Sequence, residues 1–307
     1  MNMKLLECVP NFSEGCDWTV IRSIAQVLEE TAGVALLDYS ADVDHHRSVF
    51  TFIGKPDDIL AAALAAAGRA FEQIDMRAHG GAHPRLGAVD VVPFIPLGEA
   101  EMKDAVKIAH RFGRELHRRF GVPVYFYAEA ALTEKRRQLA DVRRGGYEAL
   151  GRKIADPREA PDIGGPDFDP RWGATAVGAR LPLVAYNINL ASGDIHVARA
   201  IAAKIREAAG GIKHVRAIGL LLKTRNIAQV SMNLVDCRET SLKEIFDQVR
   251  DLAAAYGVDI LESELIGLTP ACALSKTTPE ALKLRDFTED KILENHVSEM
   301  KARFLPH

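Results

Sequence analysis

The sequence predicts an α+β protein of two α/β-sandwich subdomains, each built on a ferredoxin-like βαββαβ sheet. Three observations predict it. Short apolar runs of strand length alternate with segments of helical period. The order β-α-β-β-α-β occurs twice along the chain. A length of 307 residues with 48% hydrophobic content suits two cores better than one. The division is expected between 1–180 and 181–307.

In the first half, Lys4–Val9 reads as a strand. Asp17 caps a helix with Val20, Ile24, Val27 and Leu28 on one face, ended by Gly33. Val34–Asp38 and Arg47–Ile53 read as strands. Pro56 opens a second helix, in which Ile59, Leu60, Leu64, Ala67, Phe71 and Ile74 recur at helical spacing. Val89–Ile95 completes the first unit. Further helices are expected over Met102–Phe120 and around Lys135–Arg143, with a strand at Pro123–Tyr127.

The second half repeats the order. Leu183–Leu190 is a strand, and Ile195–Ala208 a helix stopped by Gly210–Gly211. Val215–Leu222 and Ile227–Val235 flank a tight Lys223–Asn226 turn. Ser241 and Glu244 have capping-box spacing ahead of Leu242, Ile245, Val249 and Leu252. Val258–Leu265 closes the unit. The repeat is one of element order, not of sequence identity.

Composition excludes several function classes. Net charge is −3, which gives no general attraction to nucleic acid or an anionic membrane. Four cysteines (Cys8, Cys16, Cys237, Cys272) form no CxxC pair, which argues against structural zinc and a disulfide framework and fits a reducing compartment. No run reaches the roughly 18 apolar residues of a membrane span, and the N-terminus lacks a signal-peptide core. A cytoplasmic location is expected.

Alternation along Leu183–Leu190 puts Asn187 and Asn189 opposite Val184, Tyr186, Ile188 and Leu190. In Ile227–Val235, Gln229, Ser231 and Asn233 share a face. The two strands are expected to be neighbours and to form an amide-rich patch. That patch is either a solvated sheet face or the wall of a wet cleft; amides suit a polar ligand with donors and acceptors. The patch lacks the aromatics with which RNA-binding sheets of this topology stack bases, so that function is rejected.

"MRAHGGAHPRLGAVDVVPFIP" (Met76–Pro96) places His79, His83, Arg77 and Arg85 in one short connection. Gly80 and Gly81 let backbone approach a ligand closely, and Pro84 holds His83 extended. A rigidly presented imidazole suits proton transfer near neutral pH. The glycines and proline break helical continuity, which argues against a zinc pair at His79 and His83. Arg47 opens a strand and can fork a carboxylate. Asn11, Ser13 and Glu14 in "VPNFSEG" are cap residues or polar ligands. Pro157–Gly178, rich in Pro, Gly and Asp, is a linker or a functional loop, and its Trp172 invites stacking on a flat ligand.

Six blocks, "ECVPNFSEG", "DHHRSVFTFIG", "IDMRAHGGAHPRLGAVDVVPFIP", "VPVYFYAEAA", "WGATAVGAR" and "NINL", resemble the formiminotransferase (glutamate formimidoyltransferase) family. The likeness runs in order from the first strand to at least Leu268. It implies transfer of a formimino group from N-formimino-L-glutamate to tetrahydrofolate, giving 5-formiminotetrahydrofolate and L-glutamate in histidine degradation. It implies two α/β subdomains with a ligand channel between them, a homodimer, tetrahydrofolate as co-substrate and, since mammals fuse the domain to a cyclodeaminase, a separate cyclodeaminase partner. The family's catalytic histidine falls on His83 in "HPR". Its folate-binding segment falls on Gly164, Gly165, Pro166, Asp167, Phe168, Asp169, Pro170, Arg171, Trp172 and Gly173.

On that resemblance, His83 is expected to act as base and then acid, without a metal. Arg47 and Arg85 are candidates for the donor's carboxylates. Asn11, Asn187 and Asn189 are candidates for polar contacts, the last two to the pterin beside Trp172. Ser40 in "LLDYSA" stands where some members carry an acidic residue, with Asp42 or Asp44 as compensation. It keeps open two alternatives: a folate-binding protein that transfers nothing, and an enzyme using a formyl donor.

Overall fold

A computed structural model describes residues 4–304. The chain is mixed α and β and divides into two units, Met1–Arg180 and Leu181–His307, each with its own sheet and apolar core.

The first unit runs β1 (Lys4–Cys8), β2 (Asn11–Phe12), α1 (Trp18–Glu30), β3 (Val34–Asp42), β4 (Arg47–Gly54), α2 (Pro56–Gln73) and β5 (Val89–Gly98). It continues with α3 (Met102–Phe120), β6 (Val124–Ala128), α4 (Leu139–Val142), α5 (Leu150–Ala155) and β7 (Thr175–Ala179). β3 pairs with β4, and β4 with β1 and β2, all antiparallel. β1 and β2 pair in turn with β5. β7 and β6 extend the sheet in parallel beyond β5. Helix α1 starts where the Asp17 carboxylate accepts from Thr19 N, satisfying a donor the first turn leaves open. Ile21, Ile24 and Leu28 bury its inner stripe, and the alanine-rich face of α2 packs beside it.

The second unit runs β8 (Val184–Leu190), α6 (Ile195–Ile205), β9 (Val215–Leu222), β10 (Ile227–Leu234), α7 (Leu242–Ala254), β11 (Ile260–Ile266) and α8 (Leu293–Phe304). Its sheet is antiparallel in the order β11-β8-β10-β9. That succession matches β5-β1-β4-β3 of the first unit. Tyr186, Ile188, Val230 and Leu234 face the buried sides of α6 and α7 in one core. Ser241 Oγ accepts from Glu244 N at the start of α7.

Three expectations are corrected. The helix around Lys135–Arg143 is a 3-10 turn, Glu134–Arg136, followed by the single turn of α4. Leu139 and Val142 are the stretch's only large apolar anchors, and Gly145 and Gly146 follow at positive φ. Cys237 and Cys272 form a disulfide with Cα atoms 6.0 Å apart. They are 35 residues apart in sequence, so short-range spacing could not announce the pair. Finally, of the two readings of the amide-rich face, the solvated one does not hold at Asn187, Asn189 and Gln229, which are buried, while Asn233 is exposed. Among the described residues no helix is long and apolar enough to cross a membrane.

Candidate active site

Three backbone segments of the first unit close on one another, and glycines make the approach possible. A Cβ on Gly81 would lie 2.5 Å from His45 O, and one on Gly15 would lie 2.2 Å from Asp42 O. Only glycine lets the histidine stretch and the Val9–Gly15 loop lie against the turn before β4. Ser13 N donates to Ala88 O and Ser13 Oγ to Gly87 O, so that loop also grips the end of the histidine stretch. The 164–173 loop is tied in at both ends of the stretch: Met76 N donates to Arg171 O and Ala88 N to Trp172 O. A Cβ on Gly87 would lie 2.3 Å from Trp172 O.

His83 is half-buried at the centre of this arrangement. Its Nδ1 lies 2.9 Å from Pro84 O, and its Nε2 lies 2.9 Å from Arg47 Nη1. A carbonyl only accepts and a guanidinium only donates. These neighbours therefore assign the proton to Nδ1 and the lone pair to Nε2. Burial first, then the charges of Arg47 and Arg143, hold the imidazole well below the usual histidine range. It is neutral at neutral pH. The His45 ring lies 5.6 Å away, centroid to centroid.

Arg47 is lowered to about 10 by burial and by Arg143, against the pull of Asp90 and Asp42, and so stays charged. Arg143 pairs with Asp90, which is fully buried and accepts from Leu86 N at 2.8 Å through its other oxygen. Arg143 Nε is buried with no hydrogen-bond partner. Sequence reading missed this pair. The available signal was a carboxylate inside the apolar run "AVDVVPF", a position that needs a buried partner.

His79 and His83 have separate neighbours. His79 stacks on His46 with centroids 4.0 Å apart, donates from Nε2 to His46 O, and accepts at Nδ1 from Arg85 Nε. Arg85 also pairs with Glu148 at 2.7 Å. Its Nε and Nη2 are thus engaged within the protein.

The other candidates fall in distinct places. Asn11 donates to Val9 O at 3.0 Å. Gly165, Pro166 and Asp167 are exposed, and Gly164 adopts φ +101 beside His117. Phe168 packs on the cluster of Leu150 and Tyr127, Asp169 pairs with Arg171, and Pro170 O accepts from Tyr147 Oη. Trp172 donates its indole N–H to Phe71 O at 2.7 Å, and the Arg171 guanidinium lies 5.1 Å from its ring centroid. Its surface for a flat ligand is therefore shared with Arg171 and Phe71. Gly173, at φ +69, turns the chain onto Leu86.

Asn187 and Asn189 belong to the second unit. Asn187 donates to Glu264 and Asn189 to Glu262, while Gln229 bridges Asn189 and Glu264. Arg285 pairs with both carboxylates and Arg225 with Glu262. Gln229 Oε1 stays buried without a partner.

A neutral imidazole whose Nε2 lone pair meets a guanidinium can accept a proton, and the chain that carries it is similar to known proteins over nearly its whole length. The profile for the formiminotransferase domain's N-terminal subdomain matches residues 5–180, and that for the formiminotransferase domain matches 185–295. The chain belongs to the formiminotransferase family. It is 43% identical to a glutamate formimidoyltransferase of Streptococcus pyogenes serotype M1, over 96% of this chain and 99% of that one. A glutamate formimidoyltransferase of Thermoplasma acidophilum is 41% identical, over 95% of this chain and 97% of that one. A formimidoyltransferase-cyclodeaminase of Gallus gallus is 46% identical over 88% of this chain, which spans 51% of that protein.

Proposed function

We propose that this formiminotransferase-family chain moves the formimino group of N-formimino-L-glutamate to N5 of tetrahydrofolate, releasing L-glutamate and 5-formiminotetrahydrofolate. Near-full-length similarity to relatives named glutamate formimidoyltransferase supports the reaction. The observation that carries the mechanism is the 2.9 Å contact between Arg47 Nη1 and His83 Nε2.

N5 attacks the amidine carbon, a C–N bond forms and N5 loses its proton. The bond from that carbon to the glutamate nitrogen then breaks, and that nitrogen gains a proton. His83 takes the first proton on Nε2 and returns it to the leaving nitrogen, so none is consumed. A donor carboxylate draws the Arg47 guanidinium onto itself and thereby exposes Nε2. Arg85 fixes His79 and offers its remaining Nη1 to the second carboxylate. Asp42, paired across the ladder with Arg47 and accepting from His45 N at 2.7 Å, supplies the negative charge that Ser40 does not.

In this reading the first unit is the catalytic subdomain, with tetrahydrofolate received by the 164–173 loop and Asn11. Both sheets are then variants of the ferredoxin-like unit, the first extended by β7 and β6. The enzyme works as a cytoplasmic homodimer in histidine degradation, with a cyclodeaminase activity consuming the product; the Gallus gallus relative's double name supports that pairing.

The test is glutamate release from N-formimino-L-glutamate and from N-formyl-L-glutamate, each with and without tetrahydrofolate. Folate-dependent release from the formimino donor alone is expected. Release from the formyl donor alone would replace the substrate, and tight folate binding without release would replace the function.

A further inference from the structure

We propose that Glu14, Cys16 and His46 form a binding site for a zinc-class divalent cation, separate from the transfer chemistry. One ligand atom from each lies within 4.8 Å of the other two. Donors bonded to one tetrahedral zinc lie about 3–4 Å apart, so closing the site takes only a small side-chain adjustment. No sequence spacing announces it. Glu14 and Cys16 come from the loop before α1, and His46 from the turn before β4. Gly15 joins them by close approach: a Cβ there would lie 2.5 Å from Arg47 N and 2.9 Å from His46 C.

The imidazole is set as a ligand. His46 Nδ1 lies 2.9 Å from Gly80 O, which assigns the proton to Nδ1 and leaves Nε2 facing Glu14 Oε1 at 3.4 Å. A metal-binding histidine characteristically donates its other N–H to a carbonyl or carboxylate in this way. His46 adopts φ +49, a conformation uncommon for a residue with a side chain, and its ring is further fixed by the stack on His79. The carboxylate is also held: Glu14 Oε1 accepts from Cys16 N at 2.7 Å and Asp17 N at 2.9 Å. Cys16 is a free, exposed thiol, open to an incoming ion.

The donor set selects the cation. Thiolate, imidazole and carboxylate suit zinc and similar transition ions, whereas calcium and magnesium require oxygen donors. Three protein ligands leave a fourth position for water. An ion here would brace the catalytic loop, because His46 holds Gly80 through its ring and His79 through its carbonyl.

The experiment titrates the metal-free protein with Co²⁺ and then with Zn²⁺, following absorbance, for wild type and Cys16→Ser. Wild type is expected to bind one Co²⁺ per chain with a thiolate-to-cobalt charge-transfer band in the near ultraviolet, abolished by one equivalent of Zn²⁺. Cys16→Ser is expected to keep the wild-type circular dichroism, lose the band and bind Zn²⁺ at least about tenfold more weakly. In wild type, bound Zn²⁺ should also slow alkylation of Cys16. No saturable cobalt binding, cobalt binding without a thiolate band, or a band that survives in Cys16→Ser would overturn the site.

Discussion

Two buried polar clusters, one per unit, use similar residue types to opposite ends. In the second unit, Glu262 and Glu264 are matched by Arg225, Arg285 and the amides of Asn187, Asn189 and Gln229. Each charge there has a counter-charge. In the first unit, Arg47 and Arg143 crowd a neutral His83, and the buried carboxylate of Asp90 pairs with Arg143. Burial and the positive charge of these arginines keep the imidazole deprotonated, and in the proposed mechanism a substrate anion recruits the Arg47 guanidinium. The difference teaches that burial of polar groups does not mark a reactive site. What marks it is an interaction that ligand can exchange for a better one.

The largest effect expected from breaking this contrast is on stability. Asp90→Ala leaves Arg143 buried without its counter-charge and unties Leu86 N, and should cost about 3–5 kcal/mol in denaturant unfolding. A loss under about 1 kcal/mol would mean that the pair is solvated and the first cluster is not charge-stressed. Next, Arg47→Gln should lower kcat/KM by about 10- to 100-fold, the worth of a charge-assisted hydrogen bond to a carboxylate. Unchanged kcat/KM would remove Arg47 from donor binding.

The pH dependence of stability sharpens the comparison further. His83 in the folded state titrates well below its unfolded value of about 6.5, so the unfolded chain takes up the proton first. Its contribution is full above about pH 6.5 and is lost as pH falls toward the folded value, by at most about 1.4 kcal/mol per pH unit. His83→Gln should flatten the acid side of the stability curve. An identical slope in the variant would mean that His83 is not held neutral. The smallest effect belongs to the balanced cluster: Glu264→Gln keeps one acceptor for Asn187 and Gln229 but turns an amide toward Arg285. It should cost about 1 kcal/mol, read from the shift in unfolding midpoint.

Much of the fold was legible because strands here are short, apolar and punctuated by glycine, and because Asp17, Pro56 and Ser241 begin helices in recognisable ways. The site was half legible. "GGAHPR" announced His83, and the start of β4 announced Arg47. Their contact required the fold, since 36 residues separate them. Arg143 lay unnoticed in an arginine-rich stretch that resembles a solvated surface, 53 residues from Asp90. The tie from Arg85 to Glu148 was hidden as well, because 63 residues separate them. The amide rows of β8 and β10 were placed on the right face, but the carboxylates that accept from them sit on β11, where "ESE" had no visible purpose in the sequence.

The most direct test of the central claim, that His83 shuttles the proton, is single-turnover glutamate release from N-formimino-L-glutamate in wild type and His83→Ala at saturating tetrahydrofolate. A rate lower by about 10²- to 10⁴-fold is expected in the variant, with folding and folate binding retained. A folded variant that releases glutamate at the wild-type rate would contradict it.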